Sequence, residues 1–368
     1  MPPVSAKLKT GLRAEIHFEL RKVPFIQKIF FVDHLRTMIH AGLSLVEALE
    51  VLAKETEQRY FRGVIQVIKN EVEKGRPLSD VLAEHRQVFP PIYVRMIAAG
   101  ELAGKLEESL GQVVVQMRKT HELTSSIRGA MIYPAVILTA MGAVAVMMVT
   151  VVLPKLITLF DEFDASLPLA TRILIALTNF FSNPVNLVLI TVFFAAALAL
   201  FIAGLRRSLP FKRLVHRLNL SLPIAGRVIK NINLARFSLT LSSLLKSTLP
   251  IIQATENAAD TCGNQLYKEA LRGACERLKS GEPLSEILRG HARLFPPIVT
   301  EMIMVGERTG EIDRLLAELA DFYGQEVDKT MKNFSTIIEP VIIIVLGLGV
   351  AGIAVAVVMP MFTLIQNF

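Results

Sequence analysis

Two short segments place a carboxylate between glycines, and they look more like functional motifs than any other part of the sequence. They read Gly-Glu-Leu-Ala-Gly at 100–104 and Gly-Glu-Arg-Thr-Gly at 306–310. A phosphate-binding loop would also need a following Lys-Ser/Thr pair and a preceding strand, and neither is present. We expect each segment to be a helix C-cap followed by an acid near the positive end of the next helix, with a partner contact as the alternative. The motif residues are Gly100, Glu101, Gly104, Gly306, Glu307 and Gly310.

The histidines and cysteines do not form a recognisable metal or nucleophile site. The chain has seven histidines, and none of them belongs to an HExxH pair or to a ligand set with a carboxylate at helical spacing. Cys262 and Cys275 have no CxxC spacing and no nearby pair of histidines. His85 and His291 occupy equivalent positions at the predicted end of a short helix, which favours a capping role. We expect no metal and no cofactor.

Three uncharged apolar stretches are long enough to cross a bilayer. They are residues 134–153, 185–205 and 340–359, and none contains an ionisable residue. Because roughly 20 helical residues span the ~30 Å hydrocarbon core, the sequence predicts three transmembrane helices. An intramembrane protease or a transporter would need nucleophiles, paired carboxylates or a polar site at membrane depth, and these spans offer none. We therefore expect a protein that is not an enzyme.

The basic residues predict the orientation of these spans. The formal net charge is +7, and of the 40 Lys and Arg residues, 19 lie in 1–133, 19 in 206–339 and two in 154–184. Positively charged segments remain in the cytoplasm, so we expect both large segments inside and the loop outside. A basic cluster directly after the second span should anchor the chain at the cytoplasmic membrane edge through acidic lipid rather than bind nucleic acid. Its residues are Arg206, Arg207, Lys212, Arg213 and Arg217.

The sequence contains one unit twice. A shift of 206 positions aligns the first cytoplasmic segment and first span with the second cytoplasmic segment and third span, without a gap. A Gly-x-Pro-Leu-Ser turn occurs at 75–79 and 281–285, and a Phe-Pro-Pro break at 89–91 and 295–297. The second span has no counterpart, because it returns the chain to the cytoplasm so that both copies face the same side. The copies are therefore parallel repeats.

Each copy is predicted to form a small all-helical domain. In the first copy, apolar residues at helical spacing, together with glycine, serine and proline at the expected helix ends, predict six helices. Gly42 is expected to end the first helix, Ser44 to cap the second, and Gly75 to end the third in a left-handed conformation. Ser79 is expected to cap the fourth helix, and the fifth is expected to end at Gly100. The sixth should then run toward the span.

Together, these observations predict an all-α integral membrane protein with two duplicated six-helix cytoplasmic bundle domains and three transmembrane helices. Residues 1–19 have scattered charges and no continuous apolar stretch, so no signal peptide is expected and the N-terminus should be cytoplasmic. The predicted segments are an N-terminal cytoplasmic segment (1–24), helical domain 1 (25–133), transmembrane helix 1 (134–153), an extracytoplasmic loop (154–184), transmembrane helix 2 (185–205), helical domain 2 (206–339), transmembrane helix 3 (340–359) and an extracytoplasmic tail (360–368).

The order of the GxPLS, FPP and GExxG motifs, each set followed by a proline-led span, resembles the GspF/PilC family. Its members are the inner-membrane platform proteins of type II secretion systems and type IV pili. The resemblance covers residues 25–368, although many members have a longer leader ahead of the position of Phe25. The pattern is common to pilus and secretion members, so this choice stays open.

The resemblance implies a function by contact in the bacterial inner membrane. Such a platform couples a hexameric cytoplasmic assembly ATPase to the insertion of pilin or pseudopilin subunits into a filament. Other inner-membrane assembly proteins, membrane lipids and further copies of the chain are the remaining implied partners. The alternative function is a non-catalytic membrane scaffold or transport component with another ligand.

Overall fold

The computed structural model describes residues 23–148, 176, 180, 183–223 and 225–366. These residues form helices and turns and contain no β-strand, which confirms the all-α class. Most of the predicted segments 1–24 and 154–184 lies outside the described residues. The end of the first predicted span and residues 367–368 also lie outside them.

The first copy has helices where the pattern predicts them. They are α1 (Phe25–His40), α2 (Leu45–Glu55), α3 (Arg59–Glu73), α4 (Leu78–Glu84), α5 (Pro91–Leu102) and α6 (Leu106–Met147). The last of these is a continuous helix of 42 residues that includes Pro134. The boundary between two compact units of the chain falls between Arg118 and Lys119, inside α6.

The rest of the described chain is also helical. Its helices are α7 (Pro184–Arg207), α8 (Leu209–Ser221), α9 (Ala225–Lys246), α10 (Ile251–Thr261), α11 (Gln265–Lys279), α12 (Leu284–Arg289), α13 (Pro297–Thr309) and α14 (Ile312–Gln366). The last helix has 55 residues. Helices α9 to α14 lie at the positions that the 206-residue shift assigns to α1 to α6.

Three phenylalanines form the centre of the first core. The ring centroids of Phe31, Phe61 and Phe89 are 5.5 to 6.4 Å apart, and all three side chains are buried. Phe61, Ile65 and Ile68 recur at helical spacing, so α3 buries a single face. Each large apolar side chain that leaves water contributes about 1.5–3 kcal/mol, so this cluster accounts for much of the local stability.

The second copy builds the same centre with one change. Phe237 and Phe295 occupy the equivalent positions, and their centroids are 5.5 Å apart. Tyr267 replaces the third phenylalanine and packs edge-on against Phe295 at 5.3 Å. Its buried hydroxyl donates a hydrogen bond to the carbonyl oxygen of Leu294 at 2.7 Å. This partner explains how a phenol can enter the core, since an unpaired buried hydroxyl would be costly.

Several predicted turn residues are confirmed. The Ser44 hydroxyl accepts a hydrogen bond from the Glu47 N–H at 3.3 Å, and the Glu47 carboxylate accepts one from the Ser44 N–H at 3.0 Å. This reciprocal arrangement is a capping box at the start of α2. Gly42 and Gly75 have φ angles of +91° and +86°, as expected of left-handed helix terminators.

Two other predicted turn positions are wrong. Helix α4 begins at Leu78 directly behind Pro77, so Ser79 lies within the first turn and is not the cap. Helix α5 does not end at Gly100 but continues to Leu102, and the left-handed residue is Gly104, with φ +69°. Glycine is needed at position 100 because another helix passes close to it. Glycine also occurs at helix ends, so the sequence does not distinguish the two roles.

The apolar helices agree in part with the predicted spans. Within the described residues, the helix over 106–144 is long and apolar enough to cross a membrane. The pair Thr191–Arg207 and Leu209–Ser221, bent by 105°, is a second candidate, and Pro340–Gly352 is a shorter apolar segment. Three full transmembrane helices therefore remain a prediction.

Thr248 is expected to reduce the stability of the second copy. It has φ +62°, it occupies the position of Gly42, and no other non-glycine residue in the described part of the chain has a positive φ. A left-handed conformation costs an L-residue roughly 1–2 kcal/mol. We therefore expect Thr248→Gly to raise the apparent melting temperature of the detergent-solubilised protein, followed by circular dichroism.

Thr248→Ala is the matched control, because alanine keeps the Cβ atom that causes the strain. It should give a smaller gain than glycine, and Gly42→Thr should lower the melting temperature. An equal gain from alanine and glycine would show that the backbone conformation is not the cause.

Candidate functional site

Glu101 joins α5 to the beginning of α4. Its carboxylate accepts hydrogen bonds from the backbone N–H groups of Leu78 and Ser79, at 2.6 and 2.9 Å. The Ser79 hydroxyl donates a third bond to the same carboxylate at 2.6 Å. The residue before α4, Pro77, provides no side-chain cap, so the first N–H groups of this short helix need an acceptor from elsewhere. A carboxylate also suits the positive end of a helix.

Glu307 repeats this arrangement in the second copy. The N–H groups of Leu284 and Ser285 donate to its carboxylate at 2.6 and 3.3 Å. The Ser285 hydroxyl donates to the same carboxylate. We call each set of three hydrogen bonds a carboxylate clamp. The GxPLS and GExxG motifs, which are separate in the sequence, are thus two halves of one structural feature.

The glycines of the clamp have two different roles. A Cβ atom on Gly100 would lie 2.1 Å from Cβ of Ser109, and one on Gly306 would lie 2.7 Å from Cα of Ile312. These positions therefore allow the helix after the turn to pass close to the helix before it. Gly104 and Gly310 have φ of +69° and +76° and form the left-handed turn itself.

The predicted role of the acid is therefore corrected. The sequence pattern predicts an acid near the start of the next helix, but Glu101 caps α4, which precedes it in the chain. The acids in the first turn of α6 are Glu107 and Glu108 instead. Sequence spacing alone does not indicate the bond from Glu101 to α4, because the two ends are 23 residues apart and meet only through the fold.

The clamp carboxylates and the two cysteine thiols are not available for catalysis or metal binding. Each clamp carboxylate already accepts three hydrogen bonds, and in the described part of the chain no group of three or more His, Cys, Asp or Glu residues could hold a metal ion. Burial raises the pKa of the Cys262 thiol to about 12 and also raises the pKa of Cys275. Neither thiol is therefore a reactive nucleophile at neutral pH.

The predicted basic cluster lies at a sharp elbow between α7 and α8. The rings of Phe201 and Phe211 pack edge-on across the bend at 5.7 Å. A Cβ on Gly204 would lie 3.1 Å from the Phe211 ring, so glycine leaves room for this contact. The Ser208 hydroxyl accepts a bond from the Phe211 N–H at 3.4 Å and caps α8. The 105° turn is thus defined by specific contacts.

The cluster divides between the two arms of this elbow. Arg206 and Arg207 lie in the last turn of α7, where a positive charge complements the helix dipole. The other three members lie on α8: Lys212, Arg213 and Arg217.

Helix α8 is fastened to α11 by polar contacts. Arg213 pairs with Glu269 at 2.6 Å. Nδ1 of His216 accepts a hydrogen bond from the Gln265 N–H at 2.8 Å, and the His216 carbonyl oxygen accepts one from Asn264 at 3.2 Å. Burial, with Lys212 and Lys268 nearby, lowers the pKa of His216, which keeps its ring neutral and able to accept.

A groove of about 1020 Å³ lies beside α8, and no motif in the sequence predicts it. Arg217 lines it together with Arg227, Lys230 and Arg293. The last three come from α9 and from the segment between α12 and α13, so their proximity is a product of the fold. In the sequence, Lys230 and Arg293 stand out only by comparison of the two copies, because the first copy has uncharged Pro24 and Gln87 at their positions.

Removal of the clamp carboxylate should destabilise the first copy. Glu101→Ala leaves the N–H groups of Leu78 and Ser79 without their acceptor, at an expected cost of about 2 kcal/mol. We expect faster hydrogen exchange at these two amides, measured by mass spectrometry on the full-length protein.

Glu108→Ala is the matched control, since Glu108 is exposed and its side chain pairs only loosely with Lys105, at 3.8 Å. It should leave exchange in α4 unchanged. Equal exchange rates in the two variants would contradict a stabilising role for the clamp.

Comparison with known proteins accounts for the duplicated clamps. The family model for the type II secretion system (T2SS) protein F matches residues 31–154 and again residues 237–360. The two matches begin at 31 and 237 and end at 154 and 360, the same displacement of 206 positions at both ends. Each match contains one complete clamp.

Curated proteins are similar along almost the whole chain. The type IV pilus assembly protein PilC of Thermus thermophilus is 34% identical over 360 residues, which cover 96% of this chain and 87% of that protein. PilC of Pseudomonas aeruginosa is 31% identical over 94% of this chain and 91% of its own length. The type II secretion system protein F of Aeromonas hydrophila is 29% identical over 88% and 82%. The chain therefore belongs to the type II secretion system protein F family, which is the GspF/PilC family that its motifs indicated.

Proposed function

We propose that the chain is the inner-membrane assembly platform of a type IV pilus or a type II secretion pseudopilus. The observation that carries this proposal is the double match to the protein F family, together with relatives of both systems that align over most of the chain. The platform itself has no catalytic role. It couples a cytoplasmic assembly ATPase to the insertion of pilin subunits into the filament.

The proposed architecture has two duplicated six-helix cytoplasmic domains, 25–133 and 206–339, and three transmembrane helices, 134–153, 185–205 and 340–359. The family matches support it, since each runs from a helical segment into an apolar stretch. The distribution of Lys and Arg supports a cytoplasmic N-terminus and an extracytoplasmic C-terminus in the bacterial inner membrane.

The basic elbow is proposed as an anchor at the cytoplasmic membrane edge. Arg206 and Arg207 end the apolar helix α7, which is where basic side chains meet anionic headgroups. The contacts of Phe211 and Gly204 hold the elbow in shape.

Coupling is proposed to pass along the two longest helices. Helices α6 and α14 each begin directly after a GExxG junction and continue into an apolar segment, with 42 and 55 residues. At about 1.5 Å per residue, α14 is roughly 80 Å long, which is enough to reach from a cytoplasmic contact into the bilayer. A stiff helix of this kind can transmit a displacement without a hinge in the cytoplasmic part.

The proposed partners are a hexameric assembly ATPase, pilin or pseudopilin subunits, other inner-membrane assembly proteins and further copies of the chain. The second candidate is a scaffold or transport component with another ligand. The absence of ionisable residues from the three predicted spans argues against transport, because transporters use polar groups at membrane depth.

Affinity capture distinguishes these two functions. The tagged full-length protein, purified from its host in mild detergent, should retain a hexameric ATPase and pilin-like subunits that mass spectrometry identifies. Recovery of neither partner, even after crosslinking in cells, would favour the scaffold or transport function.

A variant in the same capture experiment tests whether the GExxG motif of the first copy, residues 100–104, also contacts a partner. Leu102 lies in this motif and is 91% exposed, and the second copy has Arg308 at the equivalent position. Leu102→Arg should therefore leave the fold intact. If this variant loses the ATPase while the unmodified chain retains it, the motif contacts a partner. If the variant retains the ATPase fully, the role of the motif is structural.

Stiffness of α14 is expected to be necessary for assembly. Lys332, Asn333 and Thr336 are exposed on this helix ahead of Pro340. Replacing all three by glycine weakens the helix by about 1 kcal/mol per site relative to alanine, and removes no buried contact. We expect the triple glycine variant to capture its partners but to form few filaments, counted by electron microscopy.

The triple alanine variant at the same positions is the control and should assemble filaments normally. Normal assembly by the glycine variant would show that coupling does not depend on the stiffness of this segment.

A further inference from the structure

The groove beside α8 combines positive charge with an apolar surface. Four of its lining residues are basic: Arg217, Arg227, Lys230 and Arg293. None of its lining residues is Asp or Glu. Most of the remaining lining residues are apolar, among them Leu220, Leu266 and Leu294, with Ser221, Asn231 and His291 as the polar ones. Its volume of about 1020 Å³ is in the range of small-molecule sites.

Within the residues that the structure describes, no carboxylate forms an ion pair with any of these four basic side chains. Lys230 is half-buried, and burial lowers its pKa below the usual lysine value. The three arginines are exposed, and the positive charges gathered around one space favour an anion there, less strongly at high salt.

The walls of the groove are close-packed. The end of α8 crosses the beginning of α9 so tightly that a Cβ on Gly226 would lie 2.3 Å from the carbonyl oxygen of Leu220. The His216 contacts hold α8 against α11 on the same side. Helix α9 has 22 residues, so its positive end adds to the field in the groove. The helices that carry Arg217, Arg227 and Lys230 are therefore held against one another before a ligand arrives.

The position of the groove along α14 favours a ligand from the cytoplasm. Tyr323 lines the groove and lies 17 residues before Pro340 on the same helix. This corresponds to about 25 Å along the helix axis, which is outside the predicted bilayer.

We propose that this groove binds an organic phosphate, with the phosphate held by Lys230, Arg293 and their basic neighbours and the organic part held against the apolar surface. Arginine and lysine favour phosphate because they donate charge-assisted hydrogen bonds to its oxygens. Lys230 and Arg293 are specific to the second copy, since the first has Pro24 and Gln87 at their positions. The proposal does not depend on the platform function.

A binding assay on the detergent-purified full-length protein tests this proposal directly. The probe is a fluorescent ADP analogue, and the competitors are ADP, adenosine, dioctanoyl phosphatidylglycerol and inorganic phosphate. We expect ADP to displace the probe and adenosine to leave it bound. If dioctanoyl phosphatidylglycerol displaces the probe at lower concentration than ADP, the organic phosphate is a lipid headgroup. If ADP is the stronger competitor, it is a soluble nucleotide.

The double variant Lys230→Gln, Arg293→Gln should bind the probe at least about tenfold more weakly, the effect of one lost charge-assisted hydrogen bond. Arg293→Gln introduces the residue type that the first copy has at the equivalent position, Gln87. The control is Arg272→Gln, Lys279→Gln, which removes the same charge from exposed residues of α11 that pair with Asp260 and Glu276. This control should bind within about twofold of the unmodified chain.

Three results would overturn the proposal. The first is that neither the ADP analogue nor the lipid binds. The second is equal binding by the double variant and the control. The third is displacement by inorganic phosphate at the same concentration as ADP, which would leave no role for the apolar surface. Binding is measured without partner proteins, so these results are independent of the capture experiment.

Discussion

The first N–H groups of a short helix need an acceptor, and in both copies a glutamate 23 residues further along the chain supplies it. Proline precedes α4 and α12 and brings no side-chain cap. Without the carboxylates of Glu101 and Glu307, these polar groups of buried residues would be left with no protein partner. The clamp therefore fixes α4 against α5 and α12 against α13. The glycine turn that follows each clamp then sets the start of the next helix.

That next helix is the one that matters most for the proposed function. In each copy it begins immediately after the clamp and continues into an apolar segment. A displacement of the cytoplasmic helices would reach the apolar segment only if the beginning of the long helix is held firmly. Close packing at Gly100 and Gly306, together with the charge-assisted bonds of the clamp, meets this requirement. In this chain the two motifs of each copy therefore form structural contacts at the base of a long helix.

The two copies share the clamp but differ elsewhere. The second has a tyrosine in the aromatic core, a strained Thr248 in place of Gly42, and two basic groove residues, Lys230 and Arg293, where the first has Pro24 and Gln87. Tyr267 occupies the position of Phe61 in the core, and its hydroxyl is satisfied by the carbonyl oxygen of Leu294. The clamp is thus common to both copies, while other positions carry different residues.

The sequence alone was enough for the helical class, the repeat, the helix cap at Ser44 and the left-handed turn at Gly75, because each depends on local spacing and backbone preference. It misassigned Ser79 and Gly100, because the same residue types serve turns and close helix contacts. Only the tertiary structure decided that Glu101 caps an earlier helix and that Lys230 and Arg293 share a groove. Their partners lie far apart in the chain, and no local pattern encodes which distant residues packing will bring together.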